Sequence, residues 1–286
     1  MASTPRPSWP PPARCSPYES PAFRLLRVGG EFDECSSAVA RPAAVEQGGR
    51  RAAAREAKTK AVVTFARSPL AACLLDLVER RGVAQRTWLR ETAAAADAHT
   101  LETAFAETSR RVGAAPFALA AAERAALSAL GVDWSLDAWG IDDAARAVWL
   151  LLVAERAAAD LEGLIERRRR AGDARQRAAL VRVLPLLPDA RQWLAVALEA
   201  RRGDVRAVLE ALVCDNPYPA AHFHEVHFDD LVLAALDADL PLARMIGLGA
   251  RVTERLATAA ARVAASRRAS GRRPPQDLWR LGWGVA

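Results

Sequence analysis

The stretch from Asp204 to Leu248, DVRAVLEALVCDNPYPAAHFHEVHFDDLVLAALDADLPLARMIGL, decides the fold class. Val205, Val208, Leu209, Leu212 and Val213 fall at the i, i+3, i+4, i+7, i+8 positions of a helix with one buried face, and Asp204 stands where such a helix needs a cap. Asp215-Asn216-Pro217-Tyr218-Pro219 then stops it. Each proline disfavours the α region for the residue before it, so an extended passage through Asn216 and Tyr218 is expected, with Asp215 and Asn216 bonding nearby backbone. A second helix is expected from His224 or Glu225. It carries Phe228, Leu231, Val232 and Ala235 at helical spacing, with Leu233 and Leu236 on the flanks. Apolar over much of its circumference, it reads as a central helix.

The same punctuation recurs outward in both directions. Ser68-Pro69 reads as a cap followed by a first-turn proline, and Leu70, Leu74, Leu75 and Val78 lead to a stop at Gly82. Helices follow around Trp88-Leu89, from about Thr100 through Phe105 to Arg110-Arg111 with a stop at Gly113, and over Glu123 to Leu130. Asp142 is read as the cap of a helix with Ala145, Val148, Trp149 and Leu152 on one face, its pattern continuing through Leu161 and Ile165 to a solvated end at Arg167–Arg170. Asp173 opens a further helix that Pro185 and Pro188 stop; Asp189 and Thr253 open two others. Near the end, Trp279 is expected to pack a short turn back onto the body. Short Gly/Asp connections between amphipathic helices imply antiparallel neighbours. The class is therefore all-α, a right-handed α-solenoid-like array of antiparallel helix hairpins, although no repeat consensus recurs. Residues 1–60, rich in Pro and Gly, read as a disordered N-terminal arm, and 61–286 as the helical domain.

Composition narrows the function classes. The 286 residues are 51% hydrophobic and carry a formal charge of +6, with a pI near 9.7. Arginine supplies nearly all the positive charge, Lys58 and Lys60 being the only lysines. No arginine run is interleaved with aromatics as a single-strand binder requires, which leaves nucleic acid the weakest reading. Cys15, Cys35, Cys73 and Cys214 form no CxxC pair, so neither a disulfide framework nor a zinc finger is indicated. Cys214, closing an apolar helix, reads as a buried structural thiol in preference to a nucleophile served by His222 or His224. The longest apolar run, near Val148 to Ala154, is too short to span a bilayer. A cytoplasmic protein is expected.

Three of the four histidines, His222, His224 and His227, sit together with Asp229 and Asp230. Imidazole and carboxylate suit zinc or iron. Their spacing matches no common metal motif, and the group equally suits polar residues around a helix N-terminus. No cofactor is implied.

Six segments together carry a family resemblance: SRRVGAAP from Ser109, WGIDDAAR from Trp139, LPLLP from Leu184, NPYPAAHF from Asn216, PLARMIGL from Pro241 and SGRRPPQDLWR from Ser270. Over roughly Phe105 to Leu281 the chain resembles the EboA family. The resemblance implies a cytoplasmic member of a bacterial gene cluster that moves secondary-metabolite precursors towards the cell envelope, and the leading reading is a non-enzymatic or accessory helical protein. It implies as partners the metabolite and other cluster products, a membrane prenyltransferase-like protein among them. It implies no catalytic residues. Where the family carries an Asn-Gln pair, this chain has Asp229-Asp230, and His224 and His227 are also its own. Polar candidates for ligand or partner binding inside the resembling segments are Arg110, Arg111, Asn216, Tyr218, His222 and Arg280. The alternative is a metal-assisted enzyme acting on the metabolite through His222, His224 and His227.

Overall fold

Ser68 and Pro69 open the first helix as their chemistry requires. Ser68 Oγ accepts the Ala71 N–H at 3.1 Å, and Pro69 occupies a first-turn position where no N–H partner is needed. The structure, a computed structural model, describes residues 68–282 apart from Ala96 and Asp204. The N-terminal arm, Cys15, Cys35 and the Asp204 cap lie outside the described residues. The helices are α1 (Pro69–Arg81), α2 (Arg86–Ala94), α3 (Ala98–Val112), α4 (Ala121–Ser128), α5 (Ile141–Arg156), α6 (Ala158–Ala171) and α7 (Ala174–Val183). They continue as α8 (Leu194–Arg202), α9 (Arg206–Val213), α10 (Tyr218–His222), α11 (Glu225–Asp237), α12 (Leu248–Arg251) and α13 (Glu254–Ala269). Short 3-10 turns join several of them, among them Leu184–Leu186 and Ala190–Trp193, and a longer one, Gln276–Leu281, follows α13. Among the described residues the architecture is all-helical, with no strand beyond one isolated bridge between Pro116 and Gly140. None of these helices is long and apolar enough to cross a membrane.

Asp173 and Thr253 cap α7 and α13 as read, accepting the Gln176 and Leu256 N–H groups at 2.8 Å and 3.1 Å. Asp142 does not cap. Gly140 holds that position, and Asp143 reaches back to the Gly140 N–H at 2.9 Å, freeing Asp142 to point inward. The helix that follows is enclosed on every side, not on one face: all residues from Ile141 to Val153 are buried. Its neighbours are α1, α2, α3, α6 and α7, from both earlier and later in the chain. Ala144, Ala145 and Ala147 leave room for these backbones, while Trp149, Leu150 and Leu152 fill the spaces between them. Each large apolar side chain so buried stabilises by about 1.5–3 kcal/mol.

The pattern read as continuous through Leu161 breaks at Ala157, whose φ of −144° and ψ of 51° end α5 and start α6. Beyond it, α7 lies against α9, α9 against α8 and α11, and α11 against α13. In α11, Phe228, Leu231, Val232, Ala235 and Leu236 are buried as their spacing requires. Leu233 and Ala234 are only partly covered, so α5 and not α11 is the enclosed helix.

Two further expectations are corrected. Tyr218 is helical, at the start of α10, because Asn216 Oδ1 accepts its N–H at 2.9 Å and Pro219 sits in the first turn, where proline fits. At the C-terminal turn, Leu278 and Leu281 pack back, whereas Trp279 remains 59% exposed.

Candidate functional site

The Asn216-Pro217-Tyr218-Pro219 corner is interior. Asn216 Nδ2 donates to the Val181 carbonyl at 3.0 Å and the Ala211 carbonyl at 2.9 Å, so one side chain ties α7 to α9. Tyr218, fully buried, donates its hydroxyl to the Ala190 carbonyl at 2.6 Å and so fixes the turn that leads into α8; burial raises its phenol above the ordinary value. The three helices held in this way wall a cleft of ≈ 80 Å³. Leu180 and Val181 line it from α7, Val196 and Ala200 from α8, and Val208 from α9. Two guanidinium groups and the Glu199 carboxylate border it. Arg169 is already held, by Glu166 at 2.7 Å and by Glu199. The Arg177 guanidinium makes no hydrogen bond or ion pair among the described residues, and its Nε is buried. Apolar walls beside an uncompensated cation suit an apolar body carrying one anionic group.

A second cluster lies around the start of α5. Arg146, with no exposed surface, donates to the Phe105 carbonyl at 3.1 Å, to Asp142 Oδ2 at 2.9 Å and to Ser109 Oγ at 2.8 Å. Asp142 also accepts from Ser109 at 2.6 Å and from both Arg175 Nε and Arg175 NH2, the latter to Oδ1 at 2.7 Å. Asp143 takes Arg182 at 2.8 Å as well as the Gly140 N–H. A separate buried bond between the same two helices, α3 and α5, runs from Trp149 Nε1 to Thr108 Oγ1 at 3.0 Å. Every group bonds backbone or another member of the cluster, and it reads as a buried clamp joining α3, α5 and α7.

Burial alone would raise the Asp142 carboxyl, but hydrogen bonds from Arg175 and Ser109 and the Arg146 charge outweigh it and hold it below 3.8. Asp143 is raised, because burial outweighs Arg182. These two shifts act oppositely on stability. The Asp142 contribution is complete above its unfolded value and is lost as pH falls through the folded one; Asp143 destabilises at neutral pH and is relieved on protonation. Glu102 and Glu123 move with Asp142, held low first by hydrogen bonds from Arg167 and Arg81. Net stability is therefore expected to decline as pH falls below about 4. Urea midpoints at neutral and acid pH check this, and a flat profile would contradict it.

His222 brings its ring to 4.5 Å from that of Tyr218, and burial with Arg191 nearby lowers its pKa. His227 packs edge-on to Phe223 at 6.4 Å, while His224 is exposed at the cap of α11. Asp229 and Asp230 are engaged by Arg255 at 2.6 Å and Arg201 at 2.5 Å. Among the described residues no three His, Cys, Asp or Glu side chains form a metal-holding group, so His222, His224 and His227 do not assemble as the alternative requires. Cys214 is buried, which pushes its thiol up to about 11, away from nucleophilic use at neutral pH.

The structure brings Asn216, Tyr218 and His222 together and shares no bond or ring contact between them and Arg110, Arg111 or Arg280. Arg111 pairs with Glu107 at 3.0 Å and lies over Trp88; Arg110 is 4.0 Å from Glu107. Arg280 stacks on Trp279 with its guanidinium carbon 4.4 Å from the ring centre. The Arg167–Arg170 run is no free solvated end. Arg167 and Arg168 grip Glu102 on α3 at 2.6 Å and 3.0 Å, and Arg169 and Arg170 grip Glu166.

A family model described as metabolite traffic protein EboA matches residues 68–282, the whole span that the structure describes. The chain belongs to the EboA family. No curated protein and no solved structure matches it. In this EboA chain several of the segments that carried the resemblance have structural work: Ser109 and the Trp139–Arg146 segment build the buried clamp, and Asn216 and Tyr218 bond the elements that wall the cleft. Sequence reading missed Arg146, Arg175, Arg177 and Arg182. A signal for the first was present, since an arginine four residues after Asp142 interrupts a run that is otherwise apolar through Val153.

Proposed function

We propose that this EboA-family chain is a cytoplasmic accessory protein in the traffic of a secondary-metabolite precursor. The metabolite binds in the cleft between α7, α8 and α9, and the protein acts with other products of its gene cluster, including a membrane prenyltransferase-like protein. One observation carries the binding reading: Asn216 and Tyr218 hold all three walls of a cleft that places an unpaired Arg177 beside apolar side chains. Such a site receives an amphiphile by its tail and orients it by its acid. The right-handed stacking of antiparallel hairpins is part of the proposal, supported by α7 against α9, α9 against α11 and α11 against α13.

Calorimetric titration with hexanoate and with hexanol tests the site. A charged hydrogen bond adds about 1.5–3 kcal/mol, so hexanoate is expected to bind about tenfold or more tightly than the alcohol. Arg177→Gln should erase the difference, and Ala200→Phe, which fills the cleft, should remove both. Unchanged binding in Ala200→Phe would rule out this cleft.

A further inference from the structure

Charge is unevenly distributed along the chain. From Ser68 to Thr253 the sequence is acidic, with 22 arginines against 26 carboxylates. From Glu254 to Gly282 it holds seven arginines against two carboxylates, a net +5. Only part of that charge serves the fold. Arg267 is buried, donates to the Leu236 and Asp237 carbonyls and pairs with Asp239 at 2.5 Å, closing the end of α11. Arg255 pairs with Glu225 and Asp229. The side chains of Arg262, Arg272 and Arg273 are exposed and make no hydrogen bond or ion pair among the described residues.

An aromatic side chain accompanies this charge. Leu278 and Leu281 seat the Gln276–Leu281 turn against α13, which turns Trp279 and Arg280 outward. Trp279, one of three large hydrophobics that stand exposed among the described residues, carries the Arg280 guanidinium on its face. Arg280 is itself paired with Asp277 at 3.6 Å, whereas the side chains of Arg262, Arg272 and Arg273 are unpaired. An exposed indole in the same segment as these three arginines matches a bilayer interface, where indole lies at headgroup depth and arginine meets lipid phosphate. The inward face of α13, formed by Leu256, Ala260, Ala264 and Arg267, is already used by the fold, so the helix itself does not insert. A nucleic acid is less well matched: the described segment offers one aromatic, not the series on which successive bases stack.

We propose that the segment from Glu254 to Gly282 docks the protein peripherally on an anionic lipid bilayer through the unpaired Arg262, Arg272 and Arg273 and the exposed Trp279. Binding is electrostatic, with Trp279 as the single apolar contact.

Sedimentation of the full chain with vesicles tests this, using phosphatidylcholine alone and phosphatidylcholine with phosphatidylglycerol at three to one. Each arginine near an anionic surface contributes about fivefold to partitioning, so the triple variant Arg262→Gln/Arg272→Gln/Arg273→Gln should bind about a hundredfold more weakly. Trp279→Ala should weaken binding several-fold, and added salt should release the wild type. All four positions are exposed, and circular dichroism checks that the variants fold. Arg177→Gln should leave vesicle binding unchanged, which separates this segment from the cleft. Equal binding by the triple variant, equal binding to neutral vesicles, or retention on duplex DNA without vesicle binding would each overturn the proposal.

Discussion

Arg146→Ala is expected to cost about 3–5 kcal/mol, against a total stability of about 5–15 kcal/mol for a domain of this kind. The guanidinium is fully enclosed and bonds the Phe105 carbonyl, Asp142 and Ser109, so its removal strands an acid and a carbonyl in the interior. Arg175 still reaches Asp142, and this keeps the loss below that of an isolated buried charge. Replacing all three charged members, as in Asp142→Leu with Arg146→Met and Arg175→Met, should cost less than Arg146→Ala alone, because Arg175 also bonds Asp142 and none of the three charges is then left without its partner. Urea unfolding of the variants measures all of this. A single-variant loss below about 1 kcal/mol, the range of an exposed ion pair, would show that the clamp does not hold α3 to α5.

Asn216→Ala should lose about 3 kcal/mol, roughly three times the value for a residue that merely caps an exposed turn. Two carbonyls from different helices, at Val181 and Ala211, lose their donor, and the Tyr218 N–H loses its acceptor. Asn216→Asp should be at least as damaging, since a carboxylate would face the same two carbonyls. Because α7 and α9 are cleft walls, hexanoate affinity should fall with stability even though Asn216 does not line the cleft. In producing cells, export and soluble protein should decline in proportion. Lost export at unchanged abundance and melting temperature would instead make the corner a contact surface.

Much of the helical punctuation was legible because caps and stops are local chemistry. Ser68, Asp173 and Thr253 bond backbone three residues onward, and Gly113 ends α3 with a φ of 75°. The enclosure of α5 was not legible. Periodicity reports one favoured face, and a helix surrounded by five neighbours has none. The work of Asn216 was hidden for a related reason, since its partner at Val181 lies 35 residues away and nothing in the turn itself announces it. Asp142 looked like a cap because Asp before an apolar run usually is one; the glycine two residues earlier took the position instead. Arg177 carried no local pattern at all, and only the helices around it distinguish it from the neighbouring surface arginines.

The position of α5 also bears on how the chain is made. Its covering helices come from both sides of the sequence, so during synthesis α1, α2 and α3 can sheathe only part of it. The remaining apolar flank stays bare until α6 and α7, ending at Val183, have left the ribosome. Over that interval the nascent chain presents a long hydrophobic cylinder to the crowded cell, the kind of surface that holding chaperones bind and that drives aggregation when they are scarce. Translational pauses placed before Val183 would prolong this exposure, and pauses placed after it would not.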